Sequence, residues 1–103
     1  MESINKKIEH VVLFEWKAGT SAEQISEIMD ELRGLQHSIP GILSLTCGTN
    51  FSDRAQGFTH GLVVRLESRA ALEAYGPHPS HQAVVQQLIL PNKQNVLALD
   101  YEV

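Results

Sequence analysis

The sequence is poor in several things, and each scarcity removes a class of protein. Cysteine occurs once, at Cys47, so no internal disulfide can form, and a reducing compartment is the expected setting. Basic residues are outnumbered, 8 Lys and Arg against 12 Asp and Glu, for a formal net charge of −4. A chain that binds nucleic acid by neutralising phosphates needs the opposite surplus, so no nucleic-acid partner is expected. Long apolar runs are missing. The longest clusters, Val11 to Phe14 and Leu88 to Leu90, are too short to span a bilayer, and no membrane partner is expected. The segment Met1 to Lys7 is polar and lacks the apolar centre of a signal peptide. The glycines form neither G-x-G-x-x-G nor a Walker pattern, which removes the common phosphate loops. A soluble, cytoplasmic protein is the resulting expectation.

What is present is ordinary globular composition. Hydrophobic residues make up 43% and charged residues 19% of 103 positions, enough apolar surface for a core and too little charge for disorder. Residues 1–103 read as one domain, without a linker or a repeat.

Hydrophobic periodicity then sets the elements. Residues 8–17 alternate as a strand, with Ile8, His10, Val12, Phe14 and Trp16 on one face. Ser21 and Gln24 form a capping-box pattern ahead of a helix carrying Ile25, Ile28, Met29, Leu32 and Leu35. Pro40 and Gly41 close that helix. Residues 42–48 read as a second strand, and the polar stretch 49–57 as a loop. Residues 59–67 form a third strand, with His60, Leu62, Val64 and Leu66 sharing a face. Ser68 opens a short helix through Tyr75. A further helix starts at Pro79 and ends before Pro91, and residues 95–103 form the last strand.

This order predicts an α+β fold: a ferredoxin-like βαββαβ arrangement with an antiparallel four-stranded sheet covered by helices on one face. The other face then carries Val11, Leu13, Val63, Leu97 and Leu99. A strand face in water should be mostly polar, so this one calls for a cover. A second copy of the chain is the simplest cover, which predicts a homodimer packed sheet on sheet.

The chemistry-bearing candidates are four of the five histidines and one tyrosine. His10 and His60 share the strand face of the core residues beside them. His78 and His81 are spaced i, i+3 at a helix start, and Tyr75 ends the helix before it. If these rings meet above the sheet, Val12, Phe14 and Leu62 would wall a small-molecule pocket around them. Taken singly, each has a plainer reading: a hydrogen-bonded core histidine, or a tyrosine with its hydroxyl in water. His81 is the odd structural choice, because the positive helix start and partial burial both disfavour imidazolium and leave a neutral base. His37 is a solvated helix-end cation with no assigned role. No metal is expected. The H-x-x-H of residues 78–81 lacks the adjacent Glu of a metalloprotease helix, and no carboxylate joins the histidines.

Four stretches together resemble the stress-responsive A/B barrel (Dabb) family: I-E-H-V-V-L-F-E-W-K at 8–17, G-F-T-H-G-L-V-V at 57–64, Y-G-P-H-P-S-H at 75–81, and V-L-A-L-D-Y at 96–101. The resemblance implies a homodimer whose two sheets form an α+β barrel. One plant enzyme of the family closes a polyketide by aldol chemistry, without a cofactor, using a histidine base and an assisting tyrosine. By motif position the base matches His81 and the tyrosine matches Tyr75. His10, His60 and His78 match further pocket histidines. The implied function is cofactor-independent acid–base catalysis on a carbonyl compound, cyclase- or isomerase-like. The alternative is a non-catalytic stress-response or ligand-binding dimer.

Overall fold

The computed structural model describes residues 6–103. The polar start read at Met1 to Asn5 lies outside the described residues. The elements are β1 (Ile8–Trp16), α1 (Ala22–Ser38), β2 (Ile42–Thr49), β3 (His60–Leu66), α2 (Arg69–Tyr75), α3 (Pro79–Val84), a π-helical turn (Val85–Ile89), α4 (Leu90–Asn92) and β4 (Lys93–Glu102). The four strands form one antiparallel sheet in the order β2-β3-β1-β4. This is the ferredoxin-like α+β fold.

Local chemistry explains the boundaries. Ser21 Oγ accepts the Gln24 N–H, and Gln24 Oε1 accepts the Ser21 N–H, so the capping box closes in both directions. Along α1, Ile28, Met29, Leu32 and Leu35 recur at helical spacing and are all buried against the sheet. Ser68 caps α2 by accepting the Ala71 N–H. Ile8, Val12, Phe14, Leu62, Val64 and Leu66 supply the sheet's half of the core. No described helix is long and apolar enough to cross a membrane.

Two features depart from the periodicity. The helical region after Pro79 does not stop before Pro91. It widens into the π-helical turn and continues through Pro91 to Asn92. Pro91 lies just after the π-helical turn, whose wider spacing already interrupts the regular i→i−4 ladder. The last strand also begins two residues earlier than its alternation implies, at Lys93. Its pairing with β1 is irregular there: Asn95 stands opposite Glu15, but Lys93 stands opposite Trp16, leaving Gln94 as an extra residue. This is a β-bulge, and it reverses the side-chain alternation at the strand's start.

The two faces of the sheet differ in cover. Helices pack on the face of Val12 and Val64. On the opposite face Val11 stands between Val63 and Leu99, and Leu13 between Gly61 and Leu97. Val63, Leu97, Leu99 and Tyr101 are 39%, 53%, 60% and 49% exposed, so this apolar patch is bare in the isolated chain.

Candidate active site

The site starts from strand alternation. It turns His10 toward the helices, and register places Asp100 of β4 directly opposite it. The His10 imidazole bonds through Nδ1 to Asp100 Oδ1. A carboxylate only accepts, so Nδ1 carries the proton in this contact. Tyr75, the last residue of α2, meets His10 edge-on with ring centroids 5.5 Å apart. Tyr75 also packs against His81, with ring centroids 4.5 Å apart. The His81 Nδ1 lies 2.8 Å from the Gly76 carbonyl, which also accepts from Gln82 Nε2 at 2.9 Å. A carbonyl cannot donate, so His81 Nδ1–H is the donor, and the neutral ring keeps its lone pair on Nε2.

These groups border one open-sided cavity of about 290 Å³. His10, Tyr75 and His81 supply polar atoms. Val12, Phe14, Leu62, Val85, Ile89 and Val96 are among its apolar walls, and Lys93 stands at its rim. Apolar walls with few polar groups suit a small organic ligand. Tyr75 is only 2% exposed, and its hydroxyl has no hydrogen-bond partner among the described residues. Buried hydroxyls are nearly always paired, which sets this one apart from the other polar groups around the cavity.

Two histidines do not join this cavity. His60 has the inward-facing register, but it stands opposite Phe14, four residues along β1 from His10. At strand rise that is about 13 Å. Its Nδ1 accepts from Trp16 Nε1 at 3.1 Å and meets Thr59 Oγ1 at 2.8 Å, and it borders separate surface hollows. His78 caps α3: its Nδ1 accepts the Ser80 N–H at 3.1 Å. The structure therefore groups His10, Tyr75 and His81 with Val12, Phe14 and Leu62, and leaves His60 and His78 apart.

The chain matches the stress-responsive A/B barrel domain over residues 8–103. It belongs to that family. A curated relative, a stress-response A/B barrel domain-containing protein of Arabidopsis thaliana, is 32% identical over 91% of this chain. The chain spans only 36% of that relative's length. Among solved structures, a hydroxynitrile lyase from Passiflora edulis superimposes with a TM-score of 0.88 at 24% identity, covering 96% of this chain and 94% of that one. A dimeric ferredoxin-like protein of unknown function from Jannaschia sp. CCS1 gives 0.79 at 28% identity, covering 94% and 99%.

Sequence reading of this A/B barrel chain passed over Asp100 and Lys93. Asp100 was within reach, because Leu97 and Leu99 face outward and the residue after them must face in. Lys93 was not, because the bulge that turns it is invisible to simple alternation. Among the described residues no cluster of three or more His, Cys, Asp or Glu could hold a metal ion. Cys47 is half-buried on β2, and burial raises its thiol pKa, the reverse of what a nucleophile needs.

Protonation follows the packing. Burial pushes the Tyr75 phenol up to about 12, so at neutral pH it is a donor and not a phenolate. Burial also lowers the His81 pKa from 6.5, an effect the Gly76 carbonyl opposes and the nearby His10 and His78 reinforce. Desolvation is the largest cause. The folded chain thus binds less proton at His81 than the unfolded chain does. Its contribution to stability is complete above about pH 6.5 and is lost as pH falls through the lowered folded value. An NMR titration of the imidazole should give a His81 pKa below 6.5. A value above that would contradict the neutral, desolvated ring.

Proposed function

We propose that this chain works as a homodimer whose cavity binds a small carbonyl compound and removes a proton from the carbon beside the carbonyl. His81 Nε2 takes the proton, and the electron pair of the broken C–H bond moves into the carbonyl to give an enolate. The Tyr75 hydroxyl donates to the developing oxyanion. His10, held by Asp100, offers its Nε2 as a second polar contact for the bound molecule. Returning the proton at the same or another carbon completes an isomerisation. Attack of the enolate carbon on a second carbonyl of the same molecule forms the ring C–C bond, and the alkoxide left there takes the proton back from His81. Neither route calls on a cofactor.

The observation that carries this reading is the unpartnered Tyr75 hydroxyl, buried beside the His81 ring. An oxygen of the bound molecule would supply its missing acceptor. The reading is also supported by a related fold whose name is that of a hydroxynitrile lyase, an enzyme. The rival reading is a dimer that binds such a molecule without transforming it, in keeping with the stress-response name of the relative.

The two readings part in deuterated water. With acetophenone as probe, the wild-type chain should speed deuterium incorporation into the methyl group, followed by proton NMR. His81→Ala should reduce that rate by about 100-fold or more, the usual scale of general-base catalysis. Acetophenone bound without exchange would favour the non-catalytic dimer, and no binding would contradict the cavity as a site.

The dimer rests on the bare face of Val63, Leu97 and Leu99, and on the dimeric relative of the same fold. At micromolar concentration the wild-type chain should sediment at twice its chain mass. Leu13→Glu places an unpaired carboxylate in the sheet-on-sheet contact and should leave monomer or aggregate. A wild-type monomer would rule out the dimer.

A further inference from the structure

We propose that Lys93 selects the ligand, and that the cavity takes an elongated oxo acid: a ketone at one end, a carboxylate at the other, and an apolar chain between. This rests on the carbonyl-binding reading above and names the substrate class it left open.

The first support is the bulge. Val96 and Ala98 line the cavity from β4, so regular alternation would also turn Gln94 inward and Lys93 outward. The extra residue at Gln94 breaks that order and brings Lys93 opposite Trp16, on the cavity side. Bulges commonly re-aim a side chain next to a binding site. The facing wall is also irregular. Val85 and Ile89 reach the cavity from the π-helical turn, another distortion common at functional sites. Two separate departures from regular backbone therefore border the same hollow, and one of them delivers a cation to it.

The second support is charge. Lys93 is half-buried, yet none of the ion pairs among the described residues includes it. No carboxylate side chain lines the cavity, because Asp100 turns to His10 and to an outer cleft. A lone ammonium beside apolar walls favours an anionic ligand, and a carboxylate is the anion that fits a carbonyl-binding cavity.

The third support is spacing. His10 and Trp16, the β1 residues level with the two ends, are six residues apart, about 20 Å at strand rise. The long Lys93 side chain closes part of that distance. Between the ends lie Val12, Phe14, Leu62 and Val96, which offer nothing polar from their side chains. A ketone at His81 and Tyr75 and a carboxylate at Lys93 must then be joined by several methylene groups.

The test compares 7-oxooctanoate with its methyl ester by calorimetry, while the His81 imidazole is followed by NMR. The acid should bind the wild-type chain at least tenfold more tightly than the ester. Lys93→Met should remove that preference by weakening the acid and leaving the ester unchanged, and Lys93→Arg should keep most of it. Equal binding of acid and ester, with the His81 signals moving in both, would overturn the role of Lys93 and leave the carbonyl site standing. A preference that survives in Lys93→Met would also overturn it. Failure of both compounds to bind or to move His81 would overturn the carbonyl site itself, and this inference with it.

Discussion

A buried phenol hydroxyl without a partner among the described residues, beside an open-sided cavity, is the constraint around which this site is organised. Leaving such a group unsatisfied costs roughly 1–3 kcal/mol, a large part of what a small domain has to spare. Tyr75 is fixed there by its place at the end of α2 and by two neighbouring rings, His10 from the sheet and His81 from α3. Each of those rings is pinned through Nδ1, one by Asp100 and the other by the Gly76 carbonyl. Each imidazole therefore keeps Nε2 as its remaining ring nitrogen. In the proposed reaction these polar groups are ordered in advance, which is the condition under which hydrogen bonds to a developing charge are most effective.

The sheet builds this site with one face and leaves the other apolar and bare. Its helix-covered face builds the core through Val12, Leu62 and Val64, and gives way to the cavity near β4, where Val96 is 40% exposed. Its other face carries a contiguous apolar patch with the Glu9–Arg65 ion pair beside it. One strand, β1, feeds both, because adjacent residues point in opposite directions: His10 to the site, Val11 to the patch. A change of register in β1 would lose both at once.

Much of this was legible in the sequence because strands and helices write their periods into it. The capping box at Ser21 and Gln24, the stripe from Ile28 to Leu35, and the inward set from Ile8 to Trp16 all follow from alternation or helical spacing. Facing was legible, but position along a strand was not. His60 shares the face of His10, and only the pairing with Phe14 shows that it sits at the far end of β1. The i, i+3 spacing from His81 predicts His78 as a pocket group. The turn at Pro79 uses its Nδ1 to accept the Ser80 N–H instead. The π-helical turn and the bulge at Gln94 were not legible, because each inserts backbone where a regular period leaves no room. These two irregular places are also where Val85, Ile89 and Lys93 reach the cavity.

The central claim is that the Tyr75 hydroxyl is kept for a ligand and contributes nothing to the fold. Denaturant unfolding of Tyr75→Phe, at the same protein concentration as wild type, tests it most directly. Removing one oxygen leaves the ring packing with His10 and His81 in place. The account predicts a variant at least as stable as the wild-type chain, since the cost of the unpaired hydroxyl disappears. A loss of more than about 1 kcal/mol would mean that the hydroxyl has a structural partner in the folded chain, and would contradict the account.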